Sequence, residues 1–263
     1  MLISTFGHLL AVLIGISLGL IGGGGSILAA PVLIYVMGVP SKSALAMTLV
    51  IVGVASLIGI LPHWRQGNVN LRTAALFAPP AMVGAYLGAR IASLDAVLPI
   101  LQLGVFAAMM VFASVLMIRR GSRNSRKADL MPEETHGGQG WAIAAEGLGV
   151  GMLTGFVGIG GGFLVIPALV LLGGMPMKEA VGTSLIILAL KATTGFAGYV
   201  GNVPIQWDLL MSFTIAATLG IVLGAYMNRF VEAKHLEKGF GYFVLAVAVF
   251  IIVREFTPLL AGF

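Results

Sequence analysis

Long apolar runs, separated by short polar turns, organise this chain. The first run covers residues 5–37 and is broken by glycines at Gly22–Gly25. The turn Gly38-Val39-Pro40-Ser41-Lys42 follows, and further apolar runs cover about 43–61, 73–90 and 97–118. A polar stretch, 119–140, then carries Arg119, Arg120, Arg123, Arg126 and Lys127, followed by Asp129, Glu133 and Glu134. After it the pattern restarts. A second glycine-broken run covers 141–172, the turn Gly174-Met175-Pro176-Met177-Lys178 follows, and apolar runs cover about 179–199, 209–228 and 239–256. Runs near 20 residues span a bilayer as helices. The pattern predicts an all-α polytopic membrane protein with a first membrane repeat at 1–118, a linker at 119–140 and a second membrane repeat at 141–263.

The second half is a near copy of the first, with residues recurring at a constant offset of 136. Gly15, Gly19, Gly22, Gly24, Gly25, Leu28 and Pro31 recur as Gly151, Gly155, Gly158, Gly160, Gly161, Leu164 and Pro167. The match continues through Gly38, Pro40, Lys42 and Ala44 into the following helix, and returns at Gly84, Leu87, Gly88 and Ala89. Internal duplication of this kind is the sequence trace of many secondary transporters.

Length and charge together predict how the repeats thread. Each glycine-broken run is about 32 residues, roughly 48 Å as one helix, which is too long for a hydrocarbon core of about 30 Å. Two arms that meet at the glycines and return to the starting face fit better. With single crossings, eight Lys/Arg fall on one side and six on the other; with hairpins the division is eleven to three. The positive-inside rule selects the hairpins. It places the linker in the cytoplasm and both termini outside. A hairpin plus three spans per half makes the repeats inverted, so the hairpins enter from opposite faces and can meet near the midplane.

Composition narrows the function. A mean hydropathy of +1.04 and 10% charged residues leave little soluble mass, so the net charge of +5 marks loops rather than a nucleic-acid surface. There is no Cys to supply a thiolate or a disulfide. The N-terminal run lacks a basic n-region and a small-residue cleavage site, and reads as retained structure rather than a signal peptide. The four His show no metal-ligand spacing, no close acid pair sits in an apolar run and no Walker A motif is present, so neither an enzyme, a metal site nor a cofactor is expected.

The chemistry concentrates at the breaks. Non-helical backbone inside a membrane survives where it is buried in protein or lines a polar cavity. The arm after each break begins as a helix, at about Ser26 and about Phe163, whose first amides lack partners and carry partial positive charge. Two such ends facing each other make a site for a small anion. Candidate residues are Gly22, Gly24, Gly25 and Ser26 in the first half and Gly158, Gly160, Gly161 and Gly162 in the second. The pairs Gly15/Gly19, Gly151/Gly155, Gly84/Gly88 and Gly220/Gly224 have the spacing of close helix packing instead. Thr48, Thr183 and Ser184 either donate to substrate oxygens or bond back to their own helices. Lys191, the one cation deep in a span, either faces the cavity or snorkels to the headgroups. Glu146 and His8 are proton carriers in a coupled cycle or residues near the membrane surface. Asn68 and Asn202 read as turn formers, and His63, Trp64, Arg65 and Trp207 as interfacial anchors.

The pattern Gly158-x-Gly-Gly-Gly-Phe-x-x-x-Pro167, Gly174-x-Pro176 and Ala180-x-Gly182-Thr183-Ser184-Leu185 resembles the TauE/SafE sulfite exporter family, also called the toluene-sulfonate uptake permease family. The first half carries a weaker copy in Gly22–Gly25, Pro31, Gly38-x-Pro40, Ala44 and Met47-Thr48, with Ser26 where the second copy has its last glycine. The resemblance implies a secondary transporter that exports sulfite or small organosulfur anions such as sulfoacetate, driven by a proton or ion gradient. The alternatives are a channel-like pore, an uptake permease for another small anion, and a membrane-embedded assembly factor.

Overall fold

The computed structural model describes residues 2–92, 99–127, 140–157, 162–197 and 203–261. The linker residues 128–139, Gly158, Gly160, Gly161 and the Gly201-Asn202 turn lie outside them. Among the described residues there are helices and no strands. The first half runs α1 (Leu2–Ile21), a tight 3-10 turn at Gly22–Gly25, α2 (Ser26–Pro31) widening into a π turn at Val32–Val36, then α3 (Ser41–Arg65), α4 (Leu71–Ala92) and α5 (Pro99–Lys127). The second half runs α6 (Gly140–Val157), a 3-10 turn at Gly162–Leu164, α7 (Val165–Pro167) with a π turn at Ala168–Leu172, then α8 (Met177–Ala197), α9 (Trp207–Asn228) and α10 (Ala233–Ala261). Among the described residues, five stretches are long and apolar enough to cross a membrane.

Both glycine-broken segments fold back on themselves. A Cβ built on Gly25 would lie 2.6 Å from the amide nitrogen of Leu18, and one on Gly7 would overlap Sδ of Met37. In a straight helix, residues 7 and 37 would be roughly 45 Å apart. In the second half α6 touches the returning π turn at Ala168–Leu172, which only a reversal of direction permits. The return arms then end in the same turn. Val39 N–H donates to Leu33 O at 3.0 Å, and Met175 N–H to Leu169 O at 2.9 Å. Gly38 and Gly174 hold φ of +70° and +64° there, a left-handed conformation natural to glycine.

The halves are interleaved. α1 packs on α9, α4 on α6, α3 on α8, and α5 on α10. Exchanging the repeats maps the first pair onto the second and each of the last two onto itself. The glycines at four-residue spacing make two of these contacts possible. A Cβ on Gly15 or Gly19 would overlap the carbonyl oxygen of Ala217 or Ile221 on α9, and Gly220 and Gly224 stand in the same relation to Val12 and Ile16 on α1. Gly84 and Gly88 on α4 meet Leu148 and Met152 on α6, while Gly151 and Gly155 meet Ala81 and Ala85. Without a hydrophobic driving force between helices in lipid, such backbone approach supplies the dispersion contact that joins them.

Two apolar clusters fill the interior. One gathers Phe77, Met110, Phe163 and Phe240, the other Ile14, Leu18, Met47 and Phe213. The outer surface is also apolar, with Leu9, Leu13, Phe112, Ile215 and Leu219 exposed on the long helices. An apolar exterior over a packed, apolar interior is what lipid as a solvent requires.

Candidate functional site

The two breaks meet. Gly22–Gly25 are all buried, and a Cβ on Gly23 would overlap the carbonyl oxygen of Gly162, the first described residue of the second break. From the other side, a Cβ on Gly162 would lie 2.9 Å from Ser26 Oγ. Gly22 turns the chain with φ of +68°, and a Cβ there would stand 2.6 Å from Ser184 Oγ and 2.9 Å from Ile166 Cδ1. Glycine is therefore required at this junction on two grounds, backbone conformation and lack of room. Gly23 lies within the expected Gly22–Gly25 break, but repeat matching does not single it out as a site residue, because its counterpart is Ile159.

Two hydroxyls meet the junction, and two more lie on α8 and α3. Ser26 Oγ donates to Gly23 O at 2.6 Å. Ser184 Oγ donates back to Val181 O at 2.7 Å and accepts from Gly23 N–H at 3.4 Å. It thus makes both the back-bond to its own helix and a contact with the break. Thr183 is buried and accepts from Asn70 N–H at 3.0 Å, while Asn70 donates to Glu179 Oε1 at 2.8 Å and accepts from Thr73 N–H at 2.9 Å. Thr183 is thereby tied to the start of α4. Thr48, at the position equivalent to Ser184, is 4% exposed, and its Oγ1 has no partner among the described residues. Gly24 lies against the ring of Phe240, and Gly25 against α1.

Lys191 is half-buried on α8, and its Nζ donates to Thr154 Oγ1 on α6 at 3.0 Å. Thr154 in turn donates to Gly151 O at 2.9 Å. The ammonium bridges two helices of the second half. Thr154 carried no signal of its own in the sequence; only the third dimension places it 37 residues from its partner.

The reading of His63 as an interfacial anchor is overturned. It is 0% exposed, and its Nε2 lies 2.9 Å from the carbonyl oxygen of Gly19, near the end of α1. A helix leaves its last carbonyls without intrahelical donors, and here two of them are met by side chains from elsewhere. Asn228, at the end of α9, donates to the next carbonyl, Leu20 O, at 2.7 Å. The neighbouring Trp64 and the distant Trp207 are exposed, at 50% and 59%. Gly67-Asn68 forms the expected turn, with φ of +73° at Gly67. His8 lies 2.9 Å from Ser212 Oγ and against the ring of Phe213, and Glu146 is half-buried with Oε2 unpartnered. Neither is brought to the junction.

The junction is thus lined by backbone and hydroxyls rather than carboxylates. Such a site favours an anion by dipoles and N–H groups. A sequence model described as sulfite exporter TauE/SafE matches residues 8–251. The chain is 34% identical over 252 residues to a probable membrane transporter protein of Xylella fastidiosa (strain 9a5c), covering 95% of each chain. It is 26% identical over 250 residues to the probable membrane transporter protein YdhB of Bacillus subtilis (strain 168), again covering 95% of each. No solved structure matches it.

Proposed function

The chain belongs to the TauE/SafE sulfite exporter family of membrane transporters, and on that premise we propose that it exports sulfite or a small organosulfur anion by alternating access around the junction of the two glycine breaks. The observation that carries this reading is the contact of Gly23 with Gly162. It joins the glycine break of one half to that of the other, and irregular backbone at membrane depth is where transporters hold their substrates.

The roles follow from the local chemistry. In this conformation Ser26 N–H is turned to Gly23 O and Gly24 O and Gly23 N–H to Ser184 Oγ, so the start of α2 offers no open amide. Amides of the break, freed as the breaks separate, bind anionic oxygens, and Ser26, Thr48 and Ser184 supply hydroxyls. Thr183 holds Ser184 in place through its tie to Asn70. Lys191 supplies positive charge near the break from its seat on Thr154. In this conformation the breaks touch, so an anion enters when they separate. The zipped pairs α1–α9 and α4–α6 move as rigid bodies, each drawn from both halves, and α3–α8 and α5–α10 form the seam between them. The repeats are inverted, the linker is cytoplasmic and the termini lie outside the bacterial inner membrane. The eleven-to-three division of Lys/Arg and the reversal of both hairpins support that orientation.

The test is sulfite flux in proteoliposomes with a sulfonate and chloride as competitors. The reading expects saturable flux, blocked by the sulfonate and not by chloride. Flux that rises linearly with gradient means a pore. Because the chain lacks Cys, a single cysteine placed in the linker reports its side directly; labelling from outside the cell contradicts the proposed orientation.

A further inference from the structure

His63 is a buried imidazole that neither packing nor anion binding uses fully. A carbonyl oxygen only accepts hydrogen bonds, so the contact with Gly19 O places the proton of the neutral ring on Nε2. Nδ1 is then a bare lone pair, buried and without a partner among the described residues. Asn228 repeats the arrangement one residue on, with Nδ2 given to Leu20 O and Oδ1 left unpartnered. The ring sits three residues before the Gly22 turn. The root of the same side chain faces α8 at Gly182, where a Cβ would stand 3.1 Å from Cβ of His63. Thr183 and Ser184 follow directly, and Ser184 touches Gly23.

We propose that His63 carries the coupled proton of the transport cycle, taking it on Nδ1 when an anion occupies the junction and releasing it when the anion leaves. The inference rests on the anion site proposed above. An imidazolium buried alone is costly, because nothing compensates its charge or its new N–H. With an anion at the adjacent break the charge is balanced, and the negative end of α1 favours the cation further. Binding of either partner thus promotes the other, as linkage requires. The proton comes from the aqueous side open to the junction and leaves with the anion, so the two move in the same direction, and export by this cycle runs on the anion's own gradient rather than on an inward proton gradient.

The ionisable groups on the elements packed around His63 leave this role open to it. On α3 itself Arg65 is exposed. On α8, Glu179 is engaged by Asn70, and Lys178 donates to Arg229 O at the end of α9. Arg72 lies at the start of α4, and Lys191 is held by Thr154. On α1 and α9, His8 and Asp208 sit at the far ends of their helices, and Tyr226, near the close end of α9, is 52% exposed.

The test compares wild type with His63→Gln, which keeps a donor for Gly19 O and cannot titrate. Sulfite affinity is measured calorimetrically in nanodiscs from about pH 5 to 8, the range in which histidine changes charge. Sulfite's own titration is common to both proteins, so the difference between the profiles reports His63. Expected is a wild-type affinity that gains about fivefold or more over His63→Gln as pH falls, in the usual range of coupling between sites. Parallel profiles with binding intact overturn the role of His63 and leave the anion site standing. Absence of sulfite binding in both proteins removes the anion site, and the proposal with it. Should His63→Gln not fold, isotope-labelled histidine spectra of the wild type, assigned by replacing His8, His136 and His235, read the His63 ring directly. A protonated fraction that rises on adding sulfite supports the proposal, and an unchanged one overturns it.

Discussion

Glycine does two different jobs in this molecule, and the helix zippers and the breaks show them side by side. In the zippers, Gly15, Gly19, Gly220 and Gly224 are helical residues whose missing side chains let α1 and α9 touch backbone to backbone. In the breaks, Gly22 holds φ of +68° and turns the chain, while Gly23 lets one break reach the other. The first job joins the halves, and the second places irregular backbone where they meet. Spacing separates the two: four-residue intervals make zippers, and consecutive glycines make breaks.

The contrast can be broken most severely in the zippers. Gly155→Leu drives a side chain into the carbonyl of Ala85, and Gly19→Leu into that of Ile221, with rigid backbone on both sides. Overpacking of this kind costs about 1–3 kcal/mol or more. We expect loss of monodisperse protein in detergent, read by size-exclusion chromatography. Gly22→Ala comes next. Its left-handed backbone costs about 1–2 kcal/mol, and the new methyl presses on Ser184 Oγ and Ile166, at the junction itself. The expected outcome is folded protein with a lowered melting temperature and sulfite flux reduced at least about tenfold. Lys191→Met removes a charge bonded to Thr154 and not to the break. It should raise the KM for sulfite several-fold and leave melting within about 1 kcal/mol, whereas Lys191→Arg restores most of the affinity. Smallest is Gly149→Ala, a helical glycine whose Cβ would meet nothing within 4 Å. It should keep full flux and gain up to about 1 kcal/mol from helix propensity, seen as an equal or higher melting temperature.

The sequence made the hairpins, the duplication and the zipper glycines legible, because each rests on local spacing and length. The Gly38 and Gly174 turns were visible for the same reason. The polar contacts around the junction were not, since each joins residues far apart in the chain. His63 stands beside Trp64 and Arg65, two residues that face outward, and composition alone placed it with them. Its partner, Gly19 O, is 44 residues away and is backbone, which no side-chain pattern reveals. Asn228 reaches Leu20 across 208 residues. Gly23 was hidden for the opposite reason: the repeat that exposed its neighbours has isoleucine at the matching place. Lys191 was recognised as a charge needing a partner, but Thr154 is one of many hydroxyls spaced along the helices.

The claim on which the account turns is that the anion binds where Gly23 meets Gly162. The most direct measurement is sulfite flux in proteoliposomes bearing Gly23→Ala, beside Gly149→Ala as the control of equal chemical size. The account predicts that Gly23→Ala, still monodisperse and inserted, loses saturable flux at least about tenfold while Gly149→Ala transports as wild type. Wild-type KM and maximal flux in Gly23→Ala would contradict it, and would move the substrate site away from the breaks.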